Sequence, residues 1–360
     1  MTRLGDVCAI RYGKDHKKLS DGSIPTYGSG GIMRYVDTAI CEQPSVLIPR
    51  KGTLGNLFYT DEPFWTVDTL FWTDIDQTKI VPKYLYYQLK QKDLASYNVG
   101  TAVPSLTVEV LNEIDLDVPS IDKQRRIVEV LNSFDSKIAL NNQLNDYLEQ
   151  LVDGKFQELF GGLNFNATLS DVAEITMGQS PAGSSYNEEG AGIIFYQGRG
   201  EFGWRFPKRR LYTTEPKRLA CEGDVLMSVR APVGDLNVAF ENCCIGRGLA
   251  AIHSETPSFA LYLMRFLKPQ LEAYNGEGTV FGSINGKALK SLEVALPSHN
   301  EVMQFESFAA PIDALIRSNE NETRKLNNLR NYLLPKLMSG EIDVSKVDLT
   351  QLTNNHLVDC

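Results

Sequence analysis

The sequence predicts a mixed α/β (α+β) fold built twice: two repeated globular domains separated by two long antiparallel coiled-coil helices, pseudo-two-fold symmetric. Three observations predict it. The chain repeats itself at an offset of 178 residues, Gly100-Thr101 recurring as Gly278-Thr279, Ser105 as Ser283, Leu111 as Leu289, Pro119-Ser120 as Pro297-Ser298, Asp135 as Asp313 and Ile138 as Ile316. In a chain of 360 residues, a repeat at about half the length means two copies of one module. Each module opens with short β-type runs broken by glycine and closes with a long stretch whose apolar residues recur at spacings of three and four.

The first globular part covers 1–118. Ser45-Val-Leu-Ile-Pro and Thr69-Leu-Phe-Trp read as strands, and Pro82 to Lys92 as a short helix opened by its proline. The spacer at 119–160 places Ile127, Leu131, Phe134, Ile138, Leu144, Leu148, Leu151 and Leu159 on one stripe, a long amphipathic helix. The second globular part, 161–298, restarts the pattern. Leu4-Gly-Asp-Val7 and Ile10 through Gly13 recur as Leu169-Ser-Asp-Val172 and Ile175 through Gly178 at an offset of 165, so the second copy carries about thirteen extra residues early on. Its strands are expected at Gly192-Ile-Ile-Phe-Tyr, Asp224-Val-Leu-Met-Ser-Val and Leu249-Ala-Ala-Ile, with helix from Phe259 to Ala273. The second spacer, 299–345, lines up Phe305, Phe308, Ile312, Leu315, Leu326, Leu329, Leu333 and Leu337, with Pro311 and Pro335 expected to break or kink it near its ends. Both stripes lapse at mid-length, at Asn141-Asn142 and at Asn319 to Asn321, the kind of polar interruption that fixes register in a coiled coil. Nearly forty helical residues extend about 55 Å, longer than a domain of this size is wide, so the helices are expected to pack on each other. The polar tail 346–360 is expected to fray.

Composition narrows the function. An apolar fraction of 42% and a charged fraction of 22% are ordinary for a globular protein. No apolar leader or long apolar run is visible, which places the expected location in the cytoplasm. The six cysteines show no C-x-x-C spacing, so no structural zinc is expected. A net charge of -9 argues against nucleic acid on its face, yet Arg199 to Arg218 holds seven basic residues against two acidic ones. An acidic protein can carry a basic face.

Chemistry is hard to find. Gly198-Arg-Gly-Glu-Phe-Gly203 matches G-x-G-x-x-G, but Pro207 and the residues after it open no helix, so a dinucleotide site is rejected. Gly282-Ser-Ile-Asn-Gly-Lys-Ala288 has the wrong spacing for a phosphate-binding loop. An adenine-methyltransferase box, a nucleophile elbow and a His-Glu-x-x-His motif are all absent from the sequence.

The junctions carry a resemblance. Val118-Pro-Ser-Ile-Asp-Lys-Gln-Arg-Arg-Ile running to Asn141-Asn142, Gly-Thr ahead of it, Asp135-x-x-Ile138 within it and the ending Leu333-Leu-Pro-Lys-Leu-Met-Ser-Gly-Glu-Ile342 are similar to specificity subunits of type I restriction-modification systems. Tyr27-Gly-Ser-Gly-Gly-Ile32 and Val46 through Gly55 resemble that family too. The second copy departs from it, with His299-Asn-Glu-Val-Met-Gln where the first has Ile121-Asp-Lys-Gln-Arg-Arg. The resemblance implies a non-catalytic subunit in which two target recognition domains each read half of a bipartite double-stranded DNA site. It also implies two methyltransferase subunits held through the spacer helices, and motor-nuclease subunits in the full complex. No cofactor is expected in this chain, S-adenosylmethionine and ATP with Mg belonging to those partners. About 50 Å of helix would separate the two readers by roughly fifteen base pairs. A coiled-coil scaffold and a metal-dependent nuclease are the rival classes.

On that reading the candidate DNA-contact residues fall into groups. Arg50 and Lys51, and their repeat equivalent Arg230, end a strand just before a glycine turn, which suits a cation to a base edge or a phosphate or equally a salt-bridged turn. Arg199, Arg205, Lys208, Arg209 and Arg210 alternate with Phe202, Trp204 and Phe206, as in a strand with aromatics inward and cations outward. Tyr27 and Ser29 sit at a glycine-rich turn, suited to phosphate or to a plain hairpin. Lys14, Lys17, Lys18 and Arg34 would supplement phosphate neutralisation, while Thr101 and Thr279 occupy matching loops. Trp65, Trp72 and Asp68 are assigned to packing.

Overall fold

A computed structural model of the chain describes residues 2–276 and 282–347. Contacts divide it into two units: Met1–Leu140 together with Glu322–Cys360, and Asn141–Asn321. The dividing points lie inside the two long helices, Ile121–Phe160 and His299–Ser339, so each unit owns half of each helix as well as a globular part.

Each globular part is built on a four-stranded antiparallel sheet with the same strand order. In the first unit Cys8–Tyr12 pairs with Leu70–Ile75, which pairs with Ser45–Pro49, which pairs with Phe58–Thr60. In the second unit the places are taken by Glu174–Met177, Leu249–His253, Val225–Ser228 and Leu236–Val238. A second sheet lies beside each, containing one parallel pair: Asp21–Gly28 with Trp65–Thr66, and Ile193–Tyr196 with Cys243–Ile245. The second unit's version has five strands against three, because Tyr186–Asn187 and Leu219–Ala220 are added at its edges. The hairpin connection after Tyr196 is also much longer than that after Tyr27, and most of the second copy's extra residues are there.

Strand alternation explains the two cores of the first unit. Val46, Ile48 and Phe71 point to one face, against Tyr84 and Leu85 of the helix Pro82–Lys90, while Leu47 and Leu70 point to the other, against Phe64. The second unit repeats the division, with Val225 and Met227 facing Phe259 and Leu263, and Leu226 facing Ile194 and Ile245.

The long helices meet one expectation and correct two. The helices were expected to pack on each other, and in the first unit they do so within the globular core, Ile127, Val130, Leu131 and Phe134 of the first helix lying together with Leu326, Leu337 and Met338 of the second. Val152, Phe156, Phe160, Phe305 and Ala309 do the same in the second unit. In each unit the helix halves run antiparallel, since rising numbers on one meet falling numbers on the other, Asp135 with Arg330 in the first unit and Asn145 with Asn319 in the second. The apolar stripe is also misread beyond mid-length. The inward line there is Asn141, Asn145, Leu148, Val152, Phe156 and Phe160, while Leu144, Leu151 and Leu159 are exposed. Finally, the second helix continues through both Pro311 and Pro335.

Matching devices anchor each globular helix to a long helix. The Tyr87 hydroxyl donates to Asp135 at 2.5 Å, and the Tyr262 hydroxyl to the repeat-equivalent Asp313 at 3.1 Å. Gln124 is buried in the first unit, accepting from the Val81 amide at 2.8 Å and donating to the carbonyls of Lys79 and Pro119. Its counterpart at the 178-residue offset, Val302, is buried among apolar side chains. The departure from Gln in the second copy is therefore a change of core packing.

Candidate nucleic-acid interface

In each unit a strand end, a hairpin turn and a tight loop converge on a cleft. The backbone builds it the same way twice. The amides of Gly13, Lys14, Arg50 and Val67 donate to the carbonyls of Leu70, Thr66, Thr69 and Tyr27; the amides of Gly178, Gln179, Val229 and Gly246 donate to those of Leu249, Ile245, Gly248 and Tyr196. The matches make Asp15 equivalent to Ser180, Gly28 to Gln197, Gly30 to Arg199, Lys51 to Arg230, Asp68 to Arg247 and Thr69 to Gly248. Both members of five of these pairs line the clefts, of about 750 Å³ in the first unit and about 240 Å³ in the second; of the sixth, only Arg230 does.

The cationic loops have the geometry the sequence predicts. Arg50-Lys51 and Val229-Arg230 each end a central strand, and the chain turns at Gly52 (φ +91°) and Gly234 (φ +88°). A Cβ at Gly234 would sit 2.8 Å from that of Leu271, so the turn there is closely packed as well. Lys51 and Arg230 bridge Ser105 and Ser283, which ties each loop to the segment that holds Thr101 in the first unit. Thr101 is exposed. Thr279 lies outside the described residues.

The remaining first-unit candidates divide clearly. Lys14 and Lys17 are exposed and, as for Lys51, their ammonium groups have no carboxylate within 4.0 Å among the described residues, although the Lys17 amide donates to Asp15 at 3.0 Å. Arg50 lies over the Tyr12 ring at 5.3 Å and donates to the Asp68 carbonyl. Arg34 is tied to Asp21 at 2.8 Å and to the Leu19 carbonyl. Tyr27 is half-buried and packs on Phe58, with burial raising its hydroxyl pKa. Ser29 lies in a two-residue hairpin turn between Gly28 and Gly31, its carbonyl accepting from Asn56. The sheet edge beside this turn exposes Ile32, Met33 and Tyr35. Asp68, expected in packing, is exposed at the cleft, whereas Trp65 is buried.

The basic stretch of the second unit differs from expectation. Residues 202–210 form no strand, and the alternation is inverted at its centre: Trp204 faces solvent and Arg205 is 4% exposed. The Arg205 guanidinium donates to Asp313 at 2.8 Å and to the Tyr262 hydroxyl at 2.8 Å, with Glu149 at 3.8 Å, and packs against the Tyr262 ring. Arg205 is therefore corrected from a DNA contact to an internal anchor; turned outward, it would leave Asp313 without its cation, while Glu149 keeps Arg265 at 2.8 Å. Burial raises the Glu149 pKa even against Arg265 and Arg205. The other arginines of the stretch are exposed but paired, Arg199 with Asp235, Arg209 with Glu241 at 2.6 Å, and Arg210 with the buried Glu201 at 2.8 Å. The local positive excess in the sequence is thus offset by carboxylates that the fold brings in. Exposed pairs such as Arg199 with Asp235 and Arg209 with Glu241 are worth about 0–1 kcal/mol.

Sequence reading missed Arg247. It projects from the tight turn between Gly246 and Gly248, its amide donating to the Ser180 hydroxyl at 3.2 Å, and its side chain is exposed in the cleft beside Arg230. Among the described residues neither Arg230 nor Arg247 has a carboxylate within 4.0 Å. Its flanking glycines and its register with Asp68 were the available signals. No helix among the described residues is long and apolar enough to cross a membrane.

Comparison with known proteins gives these repeated clefts a context. The family model described as the type I restriction modification DNA specificity domain matches residues 1–150 and again 166–331. The MjaX type I restriction enzyme specificity subunit of Methanocaldococcus jannaschii is 34% identical over 298 residues, covering 75% of this chain and 70% of that protein. The MjaIX specificity subunit of the same organism is 23% identical over 348 residues, covering 84% and 78%. The fold is shared with the crystal structure of the type I restriction-modification system S subunit from M. genitalium, at 16% identity, with a TM-score of 0.63 and coverage of 93% and 95%. Two family domains, matched in two copies of one sheet topology and joined to two long helices, place this chain in the family of type I restriction-modification DNA specificity subunits.

Proposed function

We propose that each unit reads one half of a bipartite double-stranded DNA target, and that the chain recruits methyltransferase subunits through its long helices and motor-nuclease subunits in a full complex. The observation that carries this is the duplicated cleft. Lys17 lines the first cleft with Lys51 on the loop beside it, and Arg230 and Arg247 line the second; among the described residues none of these four side chains has a carboxylate within 4.0 Å, and each cleft is bounded by tight turns. Such groups neutralise phosphates and reach base edges. The chemistry then belongs to the partners, with S-adenosylmethionine and ATP bound there. Lys14, Arg50, Thr101, Arg199, Lys208, Arg209 and Arg210 are the supporting contacts on this reading.

Co-expression with the methyltransferase gene beside it, followed by long-read mapping of methylated adenines in host DNA, tests the proposal. A split motif with a fixed spacer is expected. A stable complex that methylates nothing, or methylates an undivided motif, would overturn it.

A further inference from the structure

Resting on that reading, we infer that the two clefts select opposite hydrogen-bonding characters in DNA: the second unit's cleft reads a guanine through Arg247, and the first unit's cleft reads an exposed amino group, on cytosine or adenine, through Asp68.

The inference comes from superposing the two copies by their shared backbone hydrogen bonds. The strand-to-strand turn that carries Asp68 in one unit carries Arg247 in the other, and the facing loop position changes from Asp15 to Ser180. Frame and location are the same while the charge at the tip is reversed. Arg247 and Asp68 are both exposed, and the bonds each makes within the fold use its backbone: the Arg247 amide with Ser180, the Asp68 carbonyl with Arg50. Among the described residues neither side chain is hydrogen-bonded or ion-paired to another part of the fold. The buried Arg205, held by Asp313, shows what structural use looks like in this protein.

Base edges differ in the matching way. Guanine offers two acceptors, O6 and N7, in the major groove, which the guanidinium fork satisfies in pairs; cytosine N4 and adenine N6 offer donors, which a carboxylate accepts. A carboxylate at a DNA surface is repelled by phosphate, so Asp68, which lines the cleft with Asp15 and Lys17, suits donor groups on bases and not a backbone contact. Lys17 in the cleft and Arg50, which donates to the Asp68 carbonyl, are the cations placed to take phosphate contacts around Asp68, while Arg230 is so placed beside Arg247.

The test uses the co-expressed methyltransferase complex and the methylation motif as its readout. Arg247→Ala is expected to relax one guanine in one half of the motif, by roughly 5- to 150-fold in discrimination, and to leave the other half unchanged. Arg247→Gln is expected to move the same position towards adenine, because an amide pairs with adenine N6 and N7. Asp68→Ala is expected to relax a cytosine or adenine in the opposite half. The inference fails if the variants keep the wild-type motif, if relaxation falls on a base of the other class, or if the assembled complex loses methylation at every site in both Arg247 variants, which would mark a phosphate anchor. A wild-type complex without a split motif would instead sink the underlying reading.

Discussion

Arg205 shows how one residue can invert a plausible reading. By composition it belongs to the basic stretch, and by alternation it should point outward. The fold turns it inward because Asp313 of the second long helix and Glu149 of the first need a cation at that depth, and Tyr262 provides both a ring face and an acceptor oxygen. Removing one partner of a buried pair leaves the other charge uncompensated, at about 3–5 kcal/mol. Arg205→Ala should therefore lower the stability of the second unit by about that amount, read from hydrogen exchange of residues 141–276 in urea. Arg230→Ala, at an exposed arginine with no carboxylate partner among the described residues, should stay within about 0.5 kcal/mol of wild type. Equal effects of the two would remove the distinction between anchor and contact. Long-range partners such as Asp313 cannot be read from a local window, which is why the residue scale was the least legible in the sequence. Arg247 illustrates the converse: its position follows only once Gly178, Gly246 and Leu249 are seen to be bonded as Gly13, Val67 and Leu70 are. The convergence of Cys221, Asp224 and His253, with the His253 ring 2.7 Å from Asp224, was hidden for the same reason.

At the scale of elements the sequence was far more informative. The strands Ser45–Pro49 and Leu249–His253, the helix Pro82–Lys90 and the full span Ile121–Phe160 all follow from periodicity and punctuation. The stripe of the first helix failed past mid-length, where Asn141, Asn145, Val152 and Phe156 face inward and Leu144, Leu151 and Leu159 do not, and on the second helix Leu315 and Leu329 are exposed. Asn319 and Asn145 are both buried, with the Asn319 amide donating to the Asn145 carbonyl oxygen at 2.8 Å and Asn145 donating in turn to Glu320 at 3.4 Å. A hydrophobicity count sees a gap there; the structure has a hydrogen-bonded layer. Such a layer specifies register at some expense in stability. Asn319→Ala should cost about 1–3 kcal/mol, because it strands the Asn145 acceptor, whereas Asn145→Leu with Asn319→Leu should recover that loss or exceed wild type. Thermal unfolding of the three proteins distinguishes these outcomes. A double variant less stable than the single one would show that the layer is holding the helices together rather than aligning them.

At the scale of the whole molecule, the repeat in sequence and the units in space are cut at different places. The sequence changes module between residues 160 and 161, at the end of the first long helix, but the contacts change unit at Leu140 and at Asn321, inside the helices. The second unit is consequently continuous in sequence, while the first is assembled from both ends of the chain. Leu326, Leu337, Met338 and Val344 arrive from the far end to fill the core around Leu4, Tyr84 and Leu131. Each such buried side chain contributes about 1.5–3 kcal/mol, so four of them together amount to most of a stability of roughly 5–15 kcal/mol for a domain. Ending the chain after Asn321 should accordingly unfold the first unit even though every strand of it is still encoded. The second unit keeps Val152, Phe156, Phe259 and Phe305 within its own continuous segment and should remain folded. Hydrogen exchange followed by mass spectrometry on the truncated chain reads both at once: protection should vanish across residues 2–118 and persist across 167–276. Protection retained in both would mean that the first unit does not depend on the returning helix. If the expected asymmetry is seen, the N-terminal unit cannot complete its fold before the C-terminal helix has been made, and the two DNA-reading units mature in the reverse of their order in the chain.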